Sequence, residues 1–399
     1  MRLRQACIPF ATLIIIATPA FAADDWPNWR GPNHDGISSE TGLRTQWTTP
    51  LKLVWERQLG SAFSSFACVD GKVYTCGTAD GQQVLYCLNA DTGDVVWQHP
   101  FEKAYRERLG GDGSRATPSV SDGRVYIFGA LGGLVCVDAN DGHEIWSKRY
   151  GKVPQWGYSG SVLIEGDLAI VSPGGSHGGL VALDKATGNQ VWKSGNDIAG
   201  YATPYPFTFN DKRYIVGFMG KSAMIAEAET GRLVWRLPWK TDWDVNASSP
   251  IFHDGYLFLS SGYKHGCILL RLTADGEKLS AKKIWGDRTF RQKFQSCVLY
   301  EGQLYSSDER SLKCVDFETG DLKWEVPKLK HGTVLIADGH LFVLTEKGKL
   351  LIARAMPQSF EPLTEAGILG GRCWTIPVLY KGRIYARNLG RVVCFSLVD

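Results

Sequence analysis

The sequence lacks the features that mark several large protein classes. Beyond residue 22 it has no apolar run of the roughly 20 residues that a helix needs to span a bilayer. It has no Cys-x-x-Cys, no His-x-x-x-His and no Cys/His cluster with zinc spacing, so no metal site is predicted. The glycine-rich segment at 174–179 follows no strand-to-helix pattern, which argues against a phosphate loop. No catalytic residue is assigned from motifs.

The chain also lacks a strong excess of one charge. It carries 44 Lys and Arg against 41 Asp and Glu, a formal charge of +3. Two of the arginines, Arg2 and Arg4, lie in a segment that we expect to be removed. This near balance argues against a nucleic acid or an anionic membrane surface as the partner.

The first 22 residues have the pattern of a secretory signal peptide. Arg2 and Arg4 form a charged start, an apolar run follows, and Ala20-Phe21-Ala22 is a small-x-small cleavage site. We expect a mature chain that begins near Ala23, has no transmembrane segment and is periplasmic or secreted. An N-terminal membrane anchor is the alternative interpretation.

Nine of the ten cysteines would remain after cleavage. Cys87, Cys136, Cys314 and Cys394 share one repeat position, where a cysteine is expected to be a small buried hydrophobic residue. In an oxidising compartment a disulfide could form between two of the other five cysteines, which are Cys68, Cys76, Cys267, Cys297 and Cys373.

What the sequence does contain is a repeat. LNADTGDVVW ends at Trp97, and related segments end at Trp146, Trp192, Trp235 and Trp324. In each copy a glycine stands four residues before the tryptophan, and the copies recur at the roughly 40–50-residue period of propeller blades. A copy with a longer turn ends at Trp285. Each copy predicts a strand, a turn and a second strand, and the tryptophans are expected to pack between sheets.

A second repeated signal is a short hairpin, as in VDGKVY and SDGRVY. Eight such hairpins occur, most of them with the Asp-Gly or Glu-Gly turn that favours a tight connection between strands. Together the signals predict an all-β chain with one eight-bladed propeller over residues 51–399. The eighth blade has three strands, and we expect the segment 51–60, LKLVWERQLG, to complete it, since closure removes free sheet edges. Residues 23–50 are expected to form an extended lead-in segment that straps the body.

The residues that enter the innermost strands should form a ring at the mouth of the central channel. Counting eight residues back from the hairpin glycines, with an adjustment in blade 4, gives Ala247 and seven larger residues: Phe63, Arg115, Tyr158, Tyr201, Phe294, His331 and Trp374. Such a ring suits a flat or anionic ligand. Aromatic residues that simply plug the channel are the alternative.

Loops that lead to the same face carry side chains typical of interfaces. The predicted partner-binding residues are Arg106, Arg108, Trp156, Trp239 and Trp243, because aromatic residues and arginines are favoured at binding hot spots. A solvated loop face is the competing interpretation.

On these residues the chain resembles a known family. LNADTGDVVW and LDKATGNQVW look like the pyrroloquinoline-quinone (PQQ) repeat of quinoprotein-like eight-bladed propellers, and DDWPNWRGPNHDGIS is similar to the start of quinoprotein dehydrogenases. The catalytic members hold PQQ with calcium and use an aspartate base. This sequence lacks their adjacent cysteine pair and their long insertions. It also resembles the non-catalytic branch that includes the lipoprotein that helps to assemble outer-membrane β-barrels.

The sequence therefore predicts one of two functions. The first is an exported, non-enzymatic binding scaffold that engages a protein or a small ligand at the channel mouth, with no assigned cofactor. The alternative is a PQQ- and calcium-dependent alcohol or sugar dehydrogenase.

Overall fold

The structure is a computed structural model that describes residues 25–398, so the predicted signal peptide lies outside the described residues. Eight antiparallel sheets form the blades of a single propeller, as predicted. Each blade has four strands, counted here from the central channel outward. No helix in the described part of the chain has the length and apolar character needed to cross a membrane.

The blades follow one another along the chain. Blade 1 contains Ala67–Val69, Lys72–Ala79, Gln82–Asn89 and Val95–Lys103, and blade 2 contains Ser119–Ser121, Arg124–Phe128, Gly133–Asp138 and Glu144–Arg149. Blade 3 contains Leu163–Glu165, Leu168–Val171, Leu180–Asp184 and Gln190–Ser194. Blade 4 contains Tyr205–Phe209, Lys212–Phe218, Ser222–Glu227 and Leu233–Pro238. Two short 3-10 helices lie at Gly175–His177 and Asp242–Asp244.

Blades 5 to 8 repeat the pattern. Blade 5 contains Ile251–His253, Tyr256–Ser261, Gly266–Asp275 and Lys278–Asp287, and blade 6 contains Val298–Tyr300, Gln303–Ser307, Ser311–Asp316 and Leu322–Pro327. Blade 7 contains Thr333–Ala337, His340–Leu344, Lys349–Arg354 and Pro362–Gly367. Blade 8 contains Val378–Tyr380, Arg383–Arg387, Arg391–Ser396 and, from the N-terminal part of the chain, Leu53–Gln58.

The first hairpin of each blade shows why the sequence pattern predicts it so well. Asp70 and Gly71 have φ values of 51° and 74°, the left-handed values that a tight two-residue turn requires of both central residues. Glycine adopts them at no steric cost, and aspartate tolerates them better than most residues.

The N-terminal strand closes the propeller, as predicted. Leu53–Gln58 pairs antiparallel with Arg391–Ser396, and Trp55 lies opposite Cys394. Blade 7 has lost the Thr-Gly turn and the tryptophan, yet after a longer connection it also forms a fourth strand, Pro362–Gly367. All eight blades therefore have four strands.

Most of the repeat tryptophans link neighbouring blades. The Trp55 indole N–H donates to the carbonyl of Ala90 at 2.9 Å, and its ring lies on Gly93, where an added Cβ would come within 2.5 Å of the ring. The same contact joins Trp97 to Gly142. Trp146, Trp192 and Trp285 repeat the ring-to-glycine contact and the indole hydrogen bond to the next blade. The predicted packing role is confirmed for these residues.

The repeat cysteines lie opposite these tryptophans. Cys87 pairs with Trp97, Cys136 with Trp146 and Cys314 with Trp324 across the two outer strands. All nine cysteines between residues 25 and 398 are buried and unbridged. The disulfide that the sequence allowed among five of them does not form. Burial raises the pKa of Cys76 and Cys394 to about 12.

The lead-in segment crosses the channel at the end where the first hairpins lie. Trp26 pairs with Cys68 of blade 1, and the carbonyl of Pro27 accepts the N–H of Val120 in blade 2. The short strand Ile37–Ser38 then adds in parallel to the inner strand of blade 7. Residues 25–38 are called the strap below. The strap closes one end of the channel.

A buried arginine fastens the last blade to the first. Arg387 is fully buried, and its three guanidinium nitrogens lie within hydrogen-bond distance of six neutral oxygens of blade 8, blade 1 and their connection. These are the carbonyls of Gly60, Ser64, Cys76, Asn388 and Leu389, and the hydroxyl of Thr75. Its charge is spread over several dipoles, and burial lowers its pKa to about 10.

Arg387→Lys should destabilise the protein by roughly 3 kcal/mol, because an ammonium group cannot satisfy this set of buried acceptors. Arg383→Lys is the matched control on the same strand: Arg383 is partly exposed and pairs with Asp91, so its replacement should cost under about 1 kcal/mol. Urea unfolding of both variants tests this, and equal losses would contradict the role of Arg387.

The thiols provide a second test of the fold. In the native protein at pH 8 we expect almost no reaction with DTNB, since the nine thiols are buried and their pKa values are raised where a shift is resolved. In guanidinium chloride the same thiols should react fully. Rapid titration of two thiols in the native state would contradict the packing of the outer strands.

Candidate functional site

A cavity of about 610 Å³ opens at the end of the channel opposite the strap. It is formed mainly by the connections that lead from one blade to the next. Its floor includes Trp29 of the strap, whose indole N–H donates to the hydroxyl of Ser249 at 3.0 Å. Because the strap blocks the other end, the channel is a cup, called the mouth cavity below.

One wall of the mouth cavity is an aromatic cluster. Phe63 and Trp374 stack at a centroid distance of 5.6 Å, and Phe294 lies 4.7 Å from Trp374. His331 stacks on Phe294 at 5.5 Å. The Trp374 indole N–H donates to the carboxylate of Glu346 at 3.0 Å, which fixes the ring. These aromatic side chains support one another along one wall and leave the cavity open.

Arg115 organises the adjacent wall. Its guanidinium donates to the carbonyls of Gly111, Gly113 and Trp156, and lies 4.5 Å from the ring centroid of Tyr105. Burial lowers its pKa. Three of the five N–H donors of the group are thus engaged with backbone, so Arg115 fixes the loop around it while its charge still faces the cavity.

Several polar side chains that line the cavity are hydrogen-bond donors, among them Arg115, Trp156 and Lys293. The indole N–H of Trp156 is buried and has no partner among the described residues. Lys293 lies 5.1 Å from the ring centroid of Tyr263, and its nearest carboxylate, Glu309, is 3.9 Å away. The cavity therefore favours a ligand that brings acceptors or negative charge.

Glu107 is the one carboxylate among the described residues that line the cavity. Its oxygens accept the backbone N–H groups of Leu109, Gly110 and Gly111. Burial opposes ionisation, but these hydrogen bonds prevail and lower the pKa of Glu107. Its lone pairs are thus largely committed to its own loop.

Six of the seven predicted ring residues line the mouth cavity, together with Ala247; the six are Phe63, Arg115, Tyr201, Phe294, His331 and Trp374. Tyr158 does not. It is 2% exposed, and its hydroxyl is directed away from the cavity to the carbonyls of Gly151 and Pro173. Packing of its ring on Phe128 at 4.6 Å holds it there.

The predicted loop residues divide in a similar way. Trp156 and Trp243 line the cavity. Trp239, predicted to bind a partner, is instead 7% exposed, and its indole N–H donates to the buried hydroxyl of Ser261. Arg106 and Arg108 are exposed outside the cavity lining, and Arg106 pairs with Asp112 at 2.8 Å. Their role in partner binding stays a prediction.

Several lining residues escaped the sequence analysis: Trp29, Glu107, Leu109, Tyr263 and Lys293. Trp29 lies in the conspicuous motif WPNWRGP, which could have drawn attention to it. The other residues lie in connections that carry no repeat signal, so only the closed structure brings them together.

The segment 174–178 has the spacing Gly-x-Ser-x-Gly that occurs at nucleophile elbows. Here it forms a turn with a 3-10 helix between two strands of blade 3. Ser176 is exposed, and the group in contact with its hydroxyl is Lys152 at 3.5 Å. This geometry differs from the strand-to-helix turn that an elbow requires.

The lining residues fit calcium poorly. Calcium takes six to eight oxygen ligands, several of them carboxylates. The cavity offers the carboxylate of Glu107, and that group is committed to backbone N–H donors. Among the described residues, the one cluster with metal-ligand spacing, Asp138, Asp141 and His143, lies at an exposed turn of blade 2. The aromatic walls and donors suit the flat, anionic skeleton of a quinone, but the calcium half of the site is not supplied.

Comparison with known proteins supports the fold and the repeat. The chain is 28% identical over 145 residues to "Polyvinylalcohol dehydrogenase" of a Sphingopyxis species, which is 35% of this chain and 21% of that protein. It is 31% identical over 160 residues to "Quinohemoprotein alcohol dehydrogenase ADH-IIG" of Pseudomonas putida, which is 34% of this chain and 22% of that protein. The matches thus span about a fifth of the length of these curated relatives.

Solved structures extend the similarity to most of the chain. BamB from Moraxella catarrhalis superposes with a TM-score of 0.65 and 16% identity, over 87% of this chain and 99% of that one. At this identity the superposition shows the fold alone. The sequence profile described as "Outer membrane protein assembly factor BamB" matches residues 81–306, which is more than half of the chain. The chain therefore belongs to this BamB family of PQQ-repeat, quinoprotein-like eight-bladed propellers.

Proposed function

We propose that the protein is an exported, non-enzymatic binding propeller whose ligand or partner inserts a group into the mouth cavity. The observation that carries the proposal is the shape of the site: the strap closes one end of the channel, and the other end is an open, aromatic cup. Concave, mostly apolar cavities with a few polar groups are the usual form of binding sites.

The rim of the cup adds to this argument. Leu109 is 71% exposed and Trp243 is 62% exposed, and both line the cavity on connections of different blades. Trp243 has a φ of 65°, an uncommon value for a bulky residue. Exposed apolar side chains held at the mouth of a cavity are typical of a surface that awaits a partner.

Export is part of the proposal. It is supported by the charged, apolar and small-x-small pattern of residues 1–22, and by membership in a family described as an outer membrane protein assembly factor.

The alternative, a PQQ-dependent dehydrogenase, is favoured by the alcohol-oxidising enzymes among the relatives. The chemistry of the cavity argues against it. The described lining residues include no aspartate that could act as the base, and the oxygens of Glu107 are committed to their own loop.

A large side chain placed in the mouth cavity should weaken ligand binding without unfolding the protein. Ala247 lines the cavity at a ring position where most other blades carry an aromatic residue. Ala247→Trp should weaken the binding of Nile red, a neutral planar probe, by at least about tenfold, since the indole would occupy the probe volume. Fluorescence titration gives the affinity, and Ala247→Ser is the control that should bind normally. Equal probe binding by both variants, each with an unchanged unfolding midpoint, would place the site elsewhere.

The dehydrogenase alternative has its own test. Titration with pyrroloquinoline quinone, followed by tryptophan fluorescence, should show no strengthening when calcium is added, because the cavity lacks free carboxylate ligands. A dye-reduction assay with primary alcohols and sugars should remain at background. Calcium-dependent tight binding together with dye reduction would overturn the non-enzymatic function.

A further inference from the structure

The two faces of the propeller carry opposite charge. The mouth face is made of the connections between blades and the turns between second and third strands, which are residues 59–66, 80–81, 104–118, 129–132, 150–162, 172–179, 195–204, 219–221, 239–250, 262–265, 288–297, 308–310, 328–332, 345–348, 368–377 and 388–390. These segments contain fifteen Lys and Arg against nine Asp and Glu. The cavity therefore opens on a basic surface.

The opposite face is acidic. It consists of the other turns of each blade, which are residues 70–71, 90–94, 122–123, 139–143, 166–167, 185–189, 210–211, 228–232, 254–255, 276–277, 301–302, 317–321, 338–339, 355–361 and 381–382. They contain fifteen Asp and Glu against three Lys and Arg. Turn chemistry accounts for many of these acids, since aspartate stabilises tight turns. No such backbone requirement explains the lysines and arginines of the mouth face.

The positive charge of the mouth face is concentrated beside the aromatic wall. The connections into blades 6, 7 and 8 carry six basic residues and no acidic one: Arg288, Arg291, Lys293, Lys328, Lys330 and Arg372. Three of them, Arg288, Lys328 and Lys330, are exposed and have no carboxylate within 4.0 Å in the part of the chain that the structure describes. We call these connections the basic sector.

The acidic residues around the basic sector are already engaged. Asp287, which precedes Arg288 in the chain, accepts the backbone N–H and the hydroxyl of Thr289. Asp308 is fully buried and accepts a hydrogen bond from Lys313 at 2.8 Å. Glu309 accepts the backbone N–H of Tyr263, and Glu346 accepts the indole N–H of Trp374. The exposed lysines and arginine therefore have no internal anion to neutralise them. Unpaired charge of one sign beside a cavity is a steering surface for an oppositely charged partner.

We infer that the partner is an acidic polypeptide segment that places an aromatic or aliphatic side chain in the mouth cavity while its carboxylates lie on the basic sector. This inference rests on the proposed binding function and adds the chemical class of the partner. The aromatic wall contacts the apolar side chain, and Lys293 donates to an acceptor of the bound segment. The carboxylates meet Arg288, Lys328 and Lys330 at the rim.

Other anionic partners fit these observations less well. A vesicle surface is flat and would leave the 610 Å³ cup unfilled. A second copy of the chain would bring its acidic face to this mouth, but no large apolar side chain in the turns of that face is exposed, since Met356 and Phe360 are half-buried. An acidic peptide supplies both the charge and the side chain.

The test uses a labelled peptide of roughly ten residues, long enough to extend from cavity to rim at about 3.3 Å per residue. It is rich in Glu and carries one Phe. We expect saturable binding by fluorescence anisotropy at low salt. Arg288→Glu/Lys330→Glu should weaken binding by at least about tenfold, and added salt should abolish most of the difference, because rim charges act through screened electrostatics.

A matched double charge reversal serves as the control. Lys212 and Lys282 are exposed on strands away from the mouth. Lys212→Glu/Lys282→Glu changes the net charge by the same amount and should bind like the wild type. A peptide with Lys in place of Glu, and one with Ala in place of Phe, should both bind weakly.

The outcomes separate this inference from the proposed function. Equal binding of neutral and acidic Phe peptides, with no effect of the mouth charge reversal, would overturn the acidic partner while the cavity remains a binding site. Preference for vesicles of phosphatidylglycerol over the peptide, or self-association by light scattering that the same reversal abolishes, would also overturn it. If Ala247→Trp bound Nile red as tightly as the wild type does, that result would instead refute the proposed function.

Discussion

Neighbouring blades are held together by a contact between a tryptophan of one blade and a glycine of the next. The ring of Trp97 lies on Gly142, where any side chain would collide with it, and its N–H donates to the carbonyl of Ala139. Each such contact buries a large apolar surface and satisfies a turn carbonyl that would otherwise lose a partner. Repetition of this contact fixes the angle between neighbouring sheets and so makes the array circular.

Where the repeat departs from this pattern, other interactions replace it. The turn of blade 5 lacks the Thr-Gly motif, and there Trp235 is only partly buried among the apolar residues of blades 4 and 5. At the closure, Arg387 joins blades 8 and 1 through neutral oxygens, in addition to the Trp55 contact. The ring is thus held by one repeated interaction and reinforced at the junction of the two chain ends.

A closed ring has a channel, and the strap determines what that channel can do. By pairing with the inner strands of blades 1 and 7, the strap shuts one end and places Trp29 beneath the other. The result combines an apolar cup with a basic rim on one face and acidic turns on the other. This polarity does not show in the net charge of +3, which sums the basic mouth face, the acidic opposite face and the charges carried by the rest of the chain.

The repeating parts of the fold could be predicted from the amino-acid sequence. Each of three local patterns favours one backbone conformation: the Asp-Gly hairpins, the Trp–Gly spacing, and the strand at 51–60 that has no neighbouring strand in the sequence. Eight blades and their closure could therefore be predicted from these patterns. The sequence also indicated most of the ring, since residues that enter the inner strands must approach the axis. Which of those side chains face the cavity depends on contacts between segments that are distant in the sequence. Tyr158 turns its hydroxyl to the carbonyls of Gly151 and Pro173, and Trp239 is buried against Ser261, because irregular connections follow packing and hydrogen bonding between distant segments, which no repeat encodes.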